Sequence, residues 1–149
     1  MPFFICPNCK DRSIDVDGLE GMSGQAAACR RCGFGFLFEL MDDYYPGPNT
    51  GLVVCDREAR VLAAGRGVFE LTGWHESELM GRDVRERLGL AFEAEDDPVG
   101  VAIEWGVRRL GERLALTTRA GTSKGAIADL FPAYDDDGGL LVALSPRAG

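Results

Sequence analysis

Residues 60–84 read RVLAAGRGVFELTGWHESELMGRDV. An apolar run, Val61–Ala64, stops at Gly65, and two short helical turns follow, RGVFELT (66–72) and HESELM (75–80). Immediately upstream, GLVVCD (51–56) is a second apolar run, and REARVLAA (57–64) supplies a turn and the return, so 51–64 is expected to be a β-hairpin. Downstream, RDVRERLGL (82–90) sets Val84 and Leu88 at i, i+4, a further helical turn. Past the acidic EAEDD (93–97), Pro98 suits a first helical position. Val99, Ile103, Gly106 and Leu110 then place one apolar stripe on a helix. Three strands are expected at about 112–119, 124–133 and 139–145, joined by the turn-rich AGTSKG and YDDDGG. Two strands, several short helices and three strands make an α+β plan, with a five-stranded antiparallel sheet and its helices on one face.

The stretch 60–84 resembles the PAS family of sensor domains, through Leu71-Thr72-Gly73-Trp74 and then Glu78-Leu79-Met80-Gly81-Arg82-Asp83. RAGTSKGAIADLFPAYDDDGGLLVALS (119–145) looks like the family's closing strands, so the resemblance covers about residues 49–146. It implies a small curved sheet with helices folded over one face, enclosing a core that senses haem, flavin or a small metabolite, or serving only for dimerisation and docking. Haem finds little support: the single histidine, His75, follows Trp74 where a surface or capping side chain is expected. The flavin photochemistry of the family needs a cysteine beyond the Gly-x step, and RDVRERLGL has none. Cys55 reads as a small buried side chain rather than a redox switch, and Trp74 and Trp105 as packing. Where many relatives carry Asn after the second strand, this chain has Gly65. An apolar ligand is the remaining candidate for the core, with Phe69, Leu79, Leu88, Val101, Ile103, Trp105, Leu116 and Leu130 as its lining, although an ordinary core would use the same residues.

The first 45 residues follow a different logic. They hold Cys6, Cys9, Cys29 and Cys32, four of the chain's five cysteines, in the pattern C-x2-C, nineteen residues, C-x2-C. Each C-x2-C turn presents two sulfurs as one edge of a tetrahedron, and two turns close it around zinc, with Zn–S near ~2.3 Å. The apolar FFI before the first pair and FGFLFEL after the second would be the strands that carry them. FICPNC and CRRCGF resemble the zinc-ribbon family over about residues 3–40. Structural Zn2+ held by four thiolates is the expectation, with a rubredoxin-like iron site as the alternative. A segment this short buries little by itself, and metal would supply folding free energy on the order of 10 kcal/mol. DDYYPGPNTG (42–51) breaks the regular pattern, which divides the chain into a zinc ribbon (1–41), a linker (42–49) and a PAS-like domain (50–147).

The net charge of −8 is spread over both parts: residues 1–45 carry four bases against seven acids. Four thiolates on zinc would add further negative charge, so Arg30 and Arg31 read as solvated, and nucleic acid is an unfavoured partner. Acidic surfaces also disfavour anionic membranes. MPFFIC has neither a basic n-region nor an apolar stretch of signal-peptide length, and no apolar run is long enough to span a bilayer, so a cytoplasmic location is expected. No catalytic motif is present, neither a phosphate loop nor HExxH. With SPRAG standing just after the last expected strand, no output domain is expected beyond the PAS-like one. The expectation is a non-enzymatic regulatory adaptor working through protein–protein contact, with a homodimer through the PAS-like domain. The alternatives are a sensor of an apolar ligand, haem or flavin, and a transcription regulator touching DNA through the ribbon.

Overall fold

A computed structural model describes residues 3–9, 38–40, 47, 49–132 and 139–147. Cys29, Cys32 and the boundary at 41–42 lie outside the described residues. Two short strands, β1 (Phe3–Ile5) and β2 (Phe38–Leu40), pair antiparallel with Ile5 opposite Phe38. They are the strands expected on either side of the cysteine pairs.

The larger unit begins with the expected hairpin, β3 (Gly51–Cys55) and β4 (Val61–Ala64). Asp56 shapes its turn: one carboxylate oxygen accepts from the backbone N–H of Glu58 at 2.8 Å and of Arg60 at 3.0 Å. Four helices follow, α1 (Arg66–Thr72), α2 (Glu76–Leu79), α3 (Val84–Arg87) and α4 (Pro98–Trp105). Between α3 and α4 lies β5 (Ala91–Phe92), and after them come β6 (Arg109–Thr117), β7 (Ser123–Pro132) and β8 (Leu140–Pro146). The sheet is antiparallel, in the order β4-β3-β8-β7-β6-β5.

The sheet therefore has six strands rather than five. β5 is only two residues long, too short to show the alternation by which a strand is read from sequence. The helix that starts at Pro98 is also shorter than its apolar stripe suggested. It ends at Trp105 because Gly106 adopts a left-handed conformation (φ 64°), a cap glycine reaches without steric cost. Leu110 belongs to β6 and is exposed.

The sequence LTGW owes its residue types to the end of α1. The Thr72 hydroxyl donates to the Val68 carbonyl at 2.7 Å and accepts from the Trp74 backbone N–H at 3.1 Å. Gly73 takes φ 80°, and its N–H closes on the Phe69 carbonyl at 2.7 Å. Trp74 then packs against the core, with the guanidinium carbons of Arg87 and Arg119 at 5.5 and 5.9 Å from its ring. Edge strand β4 is covered by the segment joining α2 to α3. Gly81 N–H donates to the Val61 carbonyl at 2.8 Å, and Val61 N–H to the Arg82 carbonyl at 2.9 Å.

Candidate functional site

Strands β3 and β8 are buried along almost their whole length, and their register sorts the side chains onto two faces. Val53 opposite Val142, and Cys55 opposite Leu140, face the helices and join Val68, Leu79, Val84, Leu88, Leu114, Leu116 and Leu130 in the main core. Leu52 opposite Ala143, and Val54 opposite Leu141, point the other way. With Ala63 and Phe131 they form a second buried cluster, and the residue that completes it is Ile5, fully buried. Ile5 thus covers the β4-β3-β8 half of the sheet's outer face.

The cysteine turn follows directly from that strand. Cys6 is fully buried, and the Cys9 backbone N–H points at its sulfur at 3.5 Å. An N–H directed at sulfur favours the thiolate, the form that binds metal. Between the two cysteines, the Asn8 side-chain oxygen accepts from the Arg66 backbone N–H at 2.9 Å, at the start of α1. Gly65, the residue preceding α1, provides no side-chain cap of its own. Its absent side chain has a spatial reason: a Cβ built there would sit 1.8 Å from the Pro7 carbonyl oxygen. The glycine that stands where an asparagine was expected makes room for the cysteine turn, and Asn8 of that turn supplies the amide oxygen. The same economy of space recurs two residues later, where a Cβ on Gly67 would meet the Thr50 carbonyl oxygen at 2.6 Å.

What is described of the proposed metal ligands fits a metal-binding turn: two cysteines at the right spacing, with a backbone donor aimed at the first sulfur. Among the described residues, which do not include Cys29 and Cys32, no group of three metal-ligating side chains occurs. No helix among the described residues is long and apolar enough to cross a membrane.

The eight residues expected to line a ligand pocket separate into three groups. Leu79, Leu88, Leu116 and Leu130 meet in the main core, each fully buried. Ile103 packs against that core from α4 and Val101 is half-buried. Phe69 and Trp105 do not join them: Phe69 is 45% exposed and Trp105 71% exposed, at the end of α4. Trp105 reads from the sequence as packing, but it is the last residue of α4 and its indole turns to solvent. Surface clefts open among the described residues. One, of about 170 Å³, is lined by Asn49, Gly67, Glu70, Leu71, Lys124 and Pro146, and another, of about 210 Å³, by Arg82, Asp83, Glu86 and Arg87. Neither involves any of the eight.

His75 is the residue preceding α2; its backbone N–H donates to the Glu78 carboxylate at 3.0 Å, and its exposed ring stacks on Phe69 at 4.5 Å. That bond, with a salt bridge from Arg119 at 2.8 Å, holds Glu78 below the usual carboxylate range. Asp83 is likewise held low by the Arg85 guanidinium at 2.9 Å, and Arg85 also pairs with Asp97, tying α3 to α4. Burial pushes the Cys55 thiol up, and the nearby Asp56 and Asp83 carboxylates push it further. It stays a protonated, packed side chain.

The described sheet and its helices align with solved structures over roughly two thirds of the chain. The PAS domain of a protein from Colwellia psychrerythraea matches with a TM-score of 0.55 at 17% identity, over 66% of this chain and 86% of that one. The domain has the PAS fold. The PAS domain of nitrogen regulation protein NR(II) from Vibrio parahaemolyticus gives a TM-score of 0.57 at 10% identity, covering 68% of this chain and 92% of that one. The light-state dimer of the fungal blue-light photoreceptor Vivid gives 0.56 at 14%, covering 70% and 82%. No family model matches the sequence, and no curated protein matches it.

The docking of the cysteine turn on the PAS-fold domain was missed in the sequence, although a signal for it was there. LVVC and LLVAL are uninterrupted apolar runs, whereas a sheet with one wet face would alternate. Such runs announce strands covered on both sides.

Proposed function

We propose that this chain is a non-enzymatic regulatory adaptor of signal transduction. In this reading the PAS-fold domain and a metal-bearing amino-terminal module act as one docking unit for a protein partner. The observation that carries it is the apolar interior. Leu79, Leu88, Leu114, Leu116 and Leu130 are each fully buried in one cluster, and four of them are residues expected to line a ligand pocket. A cluster of this kind has the composition of an ordinary core.

The metal part of the reading assigns Zn2+ to Cys6, Cys9, Cys29 and Cys32, as a structural ion that organises the module and takes no part in chemistry. It is supported by the spacing, by the N–H aimed at the Cys6 sulfur, and by the pairing of β1 with β2. That pairing sets the strand leading into the first cysteine pair beside the strand following the second. A homodimer of the PAS-fold domain, if it forms, would use a surface other than the β3–β8 half of the sheet while Ile5 covers it.

The absorption spectrum of freshly purified protein, with metal analysis and mass spectrometry of extracted small molecules, tests this reading. The expected result is about one zinc per chain and no stoichiometric organic ligand. A lipid or chromophore at near one-to-one occupancy would replace the adaptor by a ligand sensor. Direct DNA contact through the amino-terminal module is disfavoured by the net charge of −8, and salt-sensitive DNA binding in a low-salt titration would reinstate it.

A further inference from the structure

We infer that the Cys6–Cys9 turn is a metal-closed latch: metal bound there holds the amino-terminal segment on the PAS-fold domain and caps helix α1. The inference rests on the metal assignment made under Proposed function.

The argument is one of interleaving. In the five residues Ile5-Cys6-Pro7-Asn8-Cys9, the two sulfurs alternate with three docking contacts. Ile5 completes the apolar cluster on the outer face of the sheet. The Pro7 carbonyl occupies the space left open at Gly65. Asn8 accepts from the Arg66 N–H at 2.9 Å across 58 residues of sequence. Each docking residue is bonded directly to a cysteine, so no intervening chain can take up slack, and consecutive Cα atoms stand only about 3.8 Å apart. Fixing the sulfurs therefore fixes the contacts.

The PAS-fold side depends on this arrangement. Helix α1 has no acidic residue in its first turn, and Gly65 gives it no side-chain cap. An uncapped first N–H frays the start of a helix. The helix also lies directly on β3, where a Cβ on Gly51 would meet the Val68 backbone nitrogen at 2.8 Å. Loosening the start of α1 therefore loosens its seat on the sheet, and lifting Ile5 uncovers Leu52, Val54 and Leu141. Linkage makes the effect reciprocal: whatever strengthens docking must strengthen metal binding by the same factor.

The test uses the full chain, zinc-loaded and after chelation, with residue-resolved amide hydrogen exchange. Chelation is expected to speed exchange at Arg66 by about fivefold, the size of a lost cap, with the β6–β7 ladder at Glu112–Leu114 unchanged. Asn8→Ala in the zinc-loaded protein should reproduce the Arg66 effect and weaken zinc by a similar factor, about fivefold, read by competition with a colorimetric chelator. Asn8 makes a surface contact, so this variant serves if Ile5→Ala fails to fold. Zinc binding with Arg66 exchange and zinc affinity indifferent to Asn8→Ala would overturn the latch and leave the metal assignment standing. A full chain that binds no zinc would overturn the metal assignment, and the latch with it.

Discussion

The two faces of the six-stranded sheet are covered by different means. The inner face is covered by α1–α4, which lie between the same strands in sequence, so the chain reaches them through short connections. The outer face, at its β4-β3-β8 half, is closed by Ile5 and the turn after it, from more than 40 residues upstream of β3. The β6–β7 half of the outer face has a different character, with Arg113, Ala115, Ile127 and Asp129 exposed or half-buried. A cover made by neighbouring elements forms with the domain. One made by a distant segment is a separable equilibrium, and it can be regulated.

Substitutions can sharpen or break that contrast. The largest effect is expected on the inner face: Leu130→Ala should cost about 3 kcal/mol in urea unfolding and lower the stability of the whole domain in one transition. On the outer face, Ile5→Ala should cost about 2 kcal/mol, while residues facing the helices keep their amide protection. Equal loss of protection on both faces would mean the segment is an ordinary part of the core. Gly65→Ala should act still more selectively. Its Cβ collides with the Pro7 carbonyl, so the cysteine turn is expelled while the sheet persists, and proteolysis near residues 5–9 should accelerate.

The smallest effect is electrostatic. Four carboxylates titrate below their ordinary range: Glu78 through the His75 N–H and Arg119, Asp83 through Arg85, Glu93 through Arg147 and Asp96 through Arg109. A carboxylate depressed in the folded state contributes stability at neutral pH, and that contribution is lost as pH falls through its folded value. Urea midpoints should therefore be level above about pH 5 and decline below about pH 4. Each pair is solvent-accessible and contributes little. All four pairs lie within residues 78–147, so acid should loosen that part of the domain without a matching change at Ile5.

Much of this architecture was legible. The hairpin at 51–64, the short helices and the closing strands follow from period, turn residues and LTGW, each of which acts over a few neighbours. The places where reading failed are those where a neighbour in space outvoted a neighbour in sequence. Trp105 and Phe69 carry core-like side chains, but their positions on the helices leave them in water. Gly65 looked like a lost ligand contact and is a docking space for Pro7. β5 exists only because β6 lies beside it.

By itself, then, the sequence determined the order of elements, the sheet-and-helix plan and the spacing of four candidate metal thiolates, because backbone preference and hydrophobic period are local properties. Only the tertiary structure decided that the cysteine turn sits on the PAS-fold domain, that Asn8 caps α1, and that four leucines of the expected pocket share one buried cluster. Those outcomes depend on which surfaces meet across long stretches of chain, 58 residues between Asn8 and Arg66, and no local pattern records that.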